Sequence, residues 1–131
     1  MIVVLLDNDL TGHQELLTGT LHSTGWYEYG LVRFLTLAEA GIKTNEVDRL
    51  IWRRCQAGGM ILMTGNRNQD DPDSLEQTLR EENVPDSLPV ITVSDPQRIS
   101  EADYRERCVH AIITIVFDLG NYLGSARQFI P

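Results

Sequence analysis

The chain has 131 residues, of which 42% are hydrophobic and 23% are charged, and its formal net charge is −8. These values are typical of a single globular domain. No apolar segment approaches the ~20 residues that a membrane span requires. No basic stretch precedes the first apolar run, so we expect neither a membrane protein nor a signal peptide, and the expected location is the cytoplasm.

The positive charge is carried almost entirely by arginine, because Lys43 is the only lysine. An acidic chain repels phosphate backbones at long range, which argues against indiscriminate nucleic-acid binding. It does not argue against a nuclease, because carboxylates that hold a divalent metal make such enzymes acidic. Cys55 and Cys108 both fall in predicted helices, where we expect small core residues rather than a disulfide.

The apolar spacing predicts strands that alternate with helices along the whole chain. The strands are predicted at 3–6, 30–37, 60–64 and 88–93, and the helices at 13–23, 46–57, 74–82 and 100–120. A helix competes with the strand at 30–37, and a strand competes with the helix at 111–116. This order predicts a single α/β domain over 1–131, a three-layer doubly wound fold with right-handed crossovers and a four-stranded, mainly parallel sheet.

The last ten residues, 122–131, are too apolar for a loose end. We expect this tail to dock on the core or on a partner. The C-terminal helix and tail, at about 100–131, are therefore the predicted surface for a homodimer or another protein partner.

Acidic and amide side chains follow two of the predicted strands. Asp7 ends the first strand, Asp9 lies in the loop after it, and a helix begins near Asp48. The loop after the third strand contains Asn66, Arg67, Asn68, Asp70, Asp71 and Asp73. In a parallel sheet these segments meet at one edge. Carboxylates in one cleft repel each other unless a cation neutralises them, and their oxygens suit Mg²⁺ or Mn²⁺. The pattern predicts a metal site that activates water for attack on a phosphodiester.

Each of these residues also has an ordinary structural explanation. Aspartate is common in turns after strands, and Asp48 is typical of the first turn of a helix. Arg67 suits a phosphate held by two parallel hydrogen bonds, and it equally suits an ion pair with Asp70 or Asp71. Serine hydrolases, P-loop proteins and dinucleotide-binding proteins are disfavoured, because their nucleophile-elbow and glycine motifs are absent.

Three motifs resemble the PIN-like nuclease superfamily, and in particular its compact toxin-like branch. They are Leu5-Leu6-Asp7-Asn8-Asp9-Leu10, Asp48-Arg49-Leu50-Ile51 and Ile61-Leu62-Met63-Thr64-Gly65-Asn66-Arg67-Asn68. The resemblance implies a parallel sheet and RNA cleavage that depends on Mg²⁺ or Mn²⁺, with Asp7 and Asp48 at acidic positions of the family. Asn66 and Asn68 stand where the family has aspartates. Amides bring no charge to a metal, so we expect weaker affinity, with Asp70 and Asp71 nearby to compensate.

A second resemblance begins at the same strand. Asp7-Asn8-Asp9-Leu10-Thr11 is similar to the opening motif of haloacid-dehalogenase-type phosphohydrolases, which implies Asp7 as nucleophile and Asp9 as general acid. Met63-Thr64-Gly65-Asn66 resembles the second motif of that family. The similarity ends there, because the family needs a later lysine and a further acidic pair, whereas Lys43 precedes the second motif.

The sequence therefore favours a PIN-like, metal-dependent ribonuclease with a partly degenerate acidic site. The predicted catalytic residues are Asp7, Asp48 and Asp71, the predicted metal ligands are Asp7, Asp48 and Asp9, and the predicted nucleic-acid contacts are Arg67, Asn66 and Asn68. The alternative is an inactive PIN-like interaction module, an oligomer or an antitoxin-bound partner, that uses the C-terminal helix and tail.

Overall fold

The computed structural model describes residues 1–65 and 72–131 of the chain. These residues form a five-stranded parallel sheet with α-helices on both faces. The strands are β1 (Ile2–Leu6), β2 (Val32–Thr36), β3 (Ile61–Gly65), β4 (Val90–Val93) and β5 (Arg127–Ile130). The helices are α1 (Gln14–Ser23), α2 (Asp48–Gly58), α3 (Leu75–Glu82) and α4 (Ala102–Phe117). None of the described helices is both long and apolar enough to cross a bilayer.

The strand order is β2-β1-β3-β4-β5, and every neighbouring pair is parallel. Leu6 of β1 is level with Thr36 of β2 on one side and with Met63 of β3 on the other. The chain moves outward from β1 to β2 and then returns past β1 to β3, so the winding reverses between β1 and β3. In doubly wound sheets, ligands bind in the crevice at the carboxyl ends of the strands at such a reversal.

Successive side chains of the three central strands, β1, β3 and β4, enter two separate cores, one on each face of the sheet. Val4 and Leu6 pack with α1 and α4, whereas Leu5 packs with α2 and α3. The α4 residues of the first core are Tyr104, Cys108, Val109, Ile112, Ile113, Ile115 and Val116. The helix residues of the second core are Ile51, Trp52, Cys55, Leu75 and Leu79. Both faces are covered, which is why β1 and β3 are apolar without alternation.

The connection from β4 to β5 has the opposite hand to the two connections before it. The steps from β2 to β3, from β3 to β4 and from β4 to β5 all run in the same direction across the sheet. Helices α2 and α3 cross on one face, but α4 crosses on the other, beside α1. Almost all such connections in proteins are right-handed. The prediction of uniformly right-handed crossovers is therefore wrong for this fold.

The sheet has five strands rather than the predicted four, because the predicted tail contains β5. The amide of Val90 donates to the carbonyl of Ala126 at 2.8 Å, and the amide of Ser94 donates to the carbonyl of Ile130 at 3.0 Å. Ile130 is buried, whereas Phe129 is 60% exposed. The tail thus docks on the core, one of its two expected positions. The segment 30–37 contains strand β2, and 111–116 belongs to helix α4.

Tyr104 of α4 ties the end of the chain to the loop after β4. Its hydroxyl donates to the backbone carbonyl of Pro131 at 2.6 Å and accepts from the amide of Asp95 at 3.0 Å. The guanidinium groups of Arg98 and Arg107 lie 4.6 and 5.5 Å from the centroid of the buried ring. Burial raises the pKa of Tyr104, so its hydroxyl keeps the proton that it donates.

Candidate functional site

Asp7 lies directly after β1, at the point where the winding of the sheet reverses, and is only 5% exposed. Its amide donates to the carbonyl of Met63 at 2.9 Å, which extends the pairing of β1 with β3 by one residue. Its Oδ1 accepts from the amide of Asn8 at 2.8 Å, and its Oδ2 accepts from the Thr64 hydroxyl at 3.2 Å. These donors fix the orientation of a nearly buried carboxylate at the carboxyl edge of β1 and β3.

The Asp7 carboxylate caps the short 3₁₀ segment Asn8–His13 that leads into α1. This contact is the structural role expected of an aspartate after a strand. Thr64 is also buried, and its hydroxyl is the side-chain donor that reaches Asp7 from β3. A carboxylate has about four lone-pair sites, so such donors and a cation can be bound by the same group.

Asp9 reaches the same edge because residue 65 is a glycine. A Cβ at Gly65 would collide with Oδ2 of Asp9 and would lie 2.8 Å from Cγ of Pro96. The absence of a side chain at the end of β3 therefore gives Asp9 its position there. Asp9 itself is exposed to solvent. Asp7 and Asp9, which the sequence predicted to act together, thus both lie beside the last two residues of β3.

Asp48 is the first residue of α2, and its Oδ2 accepts from the amide of Leu75 at 3.2 Å, at the start of α3. The amide of Arg49 donates to the carbonyl of Asp73 at 3.2 Å, which joins the same two helix ends. Helix α2 runs back across the sheet after β2, so it begins at the carboxyl edge. Asp7 follows Leu5 on the face that α2 and α3 cover. Asp7 and Asp48 therefore share an edge and a face of the sheet.

An ion-pair network holds α2 against α3. The side chain of Arg49 is 12% exposed and pairs with Asp73 at 3.4 Å, with Glu81 at 3.0 Å and, more closely, with Glu82. Arg53 also pairs with Glu82, at 2.8 Å. Hydrogen bonds from Arg53 and then Arg49 lower the pKa of Glu82 from 4.5 to about 2. The network holds the first turns of α2, where Asp48 lies, against α3.

The two cysteines are buried, as predicted, and belong to opposite cores. Burial, followed by the charge of Asp7, raises the pKa of the Cys55 thiol to about 12. Burial raises the pKa of Cys108 to about 11. Both thiols stay protonated near neutral pH, so neither is suited to act as a nucleophile or a metal ligand.

The other predicted site residues, Asn66, Arg67, Asn68, Asp70 and Asp71, lie outside the described residues. The predicted phosphate contacts and the catalytic role of Asp71 therefore stay predictions. Within 1–65 and 72–131, no three His, Cys, Asp or Glu side chains form a group that could hold a metal ion. The donors at the edge are carboxylate and hydroxyl oxygens, which are the ligand type that Mg²⁺ and Mn²⁺ prefer.

Sequence reasoning placed Asp7 correctly but missed two residues of this edge, Thr64 and Gly65. A threonine followed by a glycine at the end of an apolar strand was the available signal. These two residues contact Asp7 and Asp9 only because β3 pairs with β1, and the local spacing of residues does not predict that pairing.

No family model matches the chain, and neither the curated proteins nor the solved structures contain a match to it. Its function is therefore inferred from the chain's own residues.

Proposed function

We propose that the carboxyl edge of β1 and β3 binds Mg²⁺ or Mn²⁺ and hydrolyses a phosphodiester, with RNA as the substrate class that the PIN-like resemblance implies. The observation that carries this proposal is the nearly buried carboxylate of Asp7 at the reversal of the sheet, where doubly wound domains bind their ligands. Asp9 supports it, because Gly65 at the end of β3 provides the space in which that second carboxylate lies.

The cost of burying a carboxylate supports a functional role for Asp7. Removing a charged group from water is unfavourable unless hydrogen bonds or an opposite charge compensate it. A capping contact to the Asn8 amide alone would not require a buried position, since exposed capping residues are common. Burial beside the Thr64 hydroxyl places the charge in a low-dielectric setting, where it attracts a cation more strongly than in water.

In this proposal Asp7 is the principal metal ligand and either Asp9 or Asp48 is the second. Asp70 or Asp71 of the loop after β3 completes the set, since no three of the described acidic side chains form a metal-binding group. The metal ion, when bound, polarises the phosphodiester and lowers the pKa of a bound water. Thr64 holds the Asp7 carboxylate in one orientation, and Gly65 leaves room for Asp9. Arg67, Asn66 and Asn68 contact the phosphate backbone, and Asp71 assists the attacking water. The mixed carboxylate and amide set makes the predicted site weaker than one built from four aspartates.

The test is a Mn²⁺ titration of wild type, Asp7→Asn and Asp9→Asn, followed by thermal unfolding and calorimetry. A ligand at a hundred times its Kd stabilises a protein by about 2.7 kcal/mol, and we expect both variants to lose most of that gain. Asp86→Asn, at an exposed position in the turn before β4, should keep it. Absence of metal-dependent stabilisation in wild type would refute the metal site.

RNA cleavage is tested separately, with the same proteins in the presence of Mn²⁺. We expect wild type to cleave single-stranded RNA and both site variants to be inactive. Hydrolysis of a phosphomonoester without RNA cleavage would favour the haloacid-dehalogenase-type alternative. Metal binding without either activity would leave the inactive PIN-like module.

We propose a protein-interaction role as the second candidate, because the C-terminal segment keeps apolar side chains on its surface. Strand β5 is at an edge of the sheet, Phe129 on it is 60% exposed, and Phe117 at the end of α4 is 80% exposed. An exposed edge strand with an aromatic side chain can pair with a second strand. Light scattering should detect a dimer in wild type that Phe129→Glu dissociates, and a monomeric wild type would refute the homodimer.

A further inference from the structure

A cleft of about 460 Å³ lies between the loop at 41–43 and the outward side of α2. Four α2 residues line it at helical spacing, namely Leu50, Arg53, Arg54 and Ala57. Residues three, four and seven positions apart share one side of a helix, so these side chains form one wall. The volume is within the range of small-molecule sites in proteins. We call this feature the α2 cleft.

The α2 cleft is cationic, although the whole chain is acidic. Lys43, Arg53 and Arg54 line it, together with one carboxylate, Glu46. The chain has 11 lysine and arginine residues and a net charge of −8. Cations are therefore scarce, and three of them against one lining carboxylate make this concave surface more positive than the acidic chain as a whole, even with Arg53 paired to Glu82.

The four charged groups of the cleft have different partners. Oε1 of Glu46 accepts from the amide of Val47 at 3.1 Å, at the start of its own helix. Arg53 is held by Glu82 through two hydrogen bonds, of 2.8 and 3.0 Å. Among the residues that the structure describes, Lys43 and Arg54 make no ion pair.

The cation side chains thus divide into a fixed donor and two donors available to a ligand. Arg53 is immobilised by a bidentate carboxylate, which reduces the entropy lost when its remaining N–H groups bind an anion. The contact of Arg54 with the carbonyl of Ala40 is long, at 3.5 Å. An anion can replace that contact with a charge-assisted hydrogen bond.

The rest of the wall is aliphatic. Leu50 is 42% exposed, and Ala57 is exposed about two turns further along the same side of α2. A single exposed leucine is common on protein surfaces. Here it lies in a concave site beside cations, an arrangement that suits a ligand with an anionic group and an apolar body.

We propose that the α2 cleft binds a small organic phosphate, with its phosphate on Lys43, Arg53 and Arg54 and its organic part against Leu50 and Ala57. Phosphate is favoured over carboxylate because three donors surround the site and a phosphate offers three acceptor oxygens. The site is distinct from the carboxylates at the edge of β1 and β3, and this proposal does not depend on metal binding or RNA cleavage there.

The test is calorimetric titration of the whole chain with phenyl phosphate, inorganic phosphate and benzyl alcohol, in the presence of EDTA. EDTA removes divalent metal, so the result is independent of the proposed nuclease site. We expect saturable binding of phenyl phosphate at one site, weaker binding of inorganic phosphate and none of benzyl alcohol. Raising the salt concentration should weaken phenyl phosphate binding, because the attraction is ionic.

Matched variants locate the site. Lys43→Gln and Arg54→Gln should each weaken phenyl phosphate binding about tenfold, since one charge-assisted hydrogen bond is worth about that factor. Leu50→Asn should weaken phenyl phosphate but leave inorganic phosphate unchanged. Arg33→Gln, at an exposed arginine on β2, should have no effect. Thermal unfolding of each variant verifies that it is folded.

Three results would overturn the proposal. The first is the absence of saturable phenyl phosphate binding to wild type. The second is equal weakening by Arg33→Gln and Arg54→Gln, which would indicate attraction to arginines in general. The third is equal affinity for inorganic phosphate and phenyl phosphate, which would exclude a contribution from the aliphatic wall.

Discussion

Replacing Thr64 by valine removes the hydroxyl that orients Asp7 while keeping the shape of the side chain. The hydroxyl donates to Oδ2 of Asp7 at 3.2 Å, and both side chains are buried. Hydrogen bonds to charged groups contribute about 1.5–3 kcal/mol. A distance of 3.2 Å is long for a hydroxyl and a carboxylate, so we expect a loss near the lower limit, about 1.5 kcal/mol.

The expected loss can be converted into a melting temperature. Unfolding entropies near 2.1 cal/mol/K per residue give about 0.28 kcal/mol/K for 131 residues. Thr64→Val should therefore lower the melting temperature by about 5 °C. Urea unfolding should show a lower midpoint and an unchanged slope, because the exposed surface does not change.

A double-mutant cycle with Asp7→Asn decides whether the loss comes from this contact. If the hydroxyl acts through the carboxylate, the two single variants lose the same interaction. The sum of their losses in unfolding free energy should then exceed the loss in the double variant by about 1 kcal/mol. Thr64→Ser keeps the hydroxyl and serves as the control for packing. Additivity within about 0.5 kcal/mol would refute the interaction as the source of the effect.

Three further predictions concern the same edge and the elements that support it. Gly65→Ala should destabilise the fold by about 1–3 kcal/mol in urea, because its Cβ would lie 2.8 Å from the ring of Pro96; an unchanged midpoint would contradict this. Tyr104→Phe should destabilise the fold by about 0.5–1.5 kcal/mol, since it removes the hydroxyl that donates to the partly buried carbonyl of Pro131 and accepts from the amide of Asp95. Thermal unfolding measures the loss. The pKa of Glu82 is lowered from 4.5 to about 2, mainly by Arg53, so its stabilisation is complete above pH 4.5 and is lost as pH falls toward 2. Glu82→Gln should show a smaller loss of stability over that pH range than wild type, and identical curves would exclude this role.

The spacing of apolar residues predicted most of the helices and strands, because an element that is buried on one or both faces shows a characteristic apolar pattern within a few residues. The apolar runs at β1 and β3 read as buried strands, and the spacing of Ile51 and Cys55 predicted α2. The strand that was missed, β5, is only four residues long. Its pairing with β4 depends on α4 crossing to the face of α1, which no short segment encodes.

By itself, the sequence determined an α/β chain with buried parallel strands and an aspartate at the end of the first. Tertiary structure alone decided the order of the strands and the hand of the last connection, because each depends on which elements pack together. It also decided that Asp7 would lie beside Thr64, 57 residues away, and that Asp9 would occupy the space over Gly65. The spacing of apolar residues along the chain indicates which side chains are buried. The partners of a buried charge depend on which distant strands pair in the folded protein.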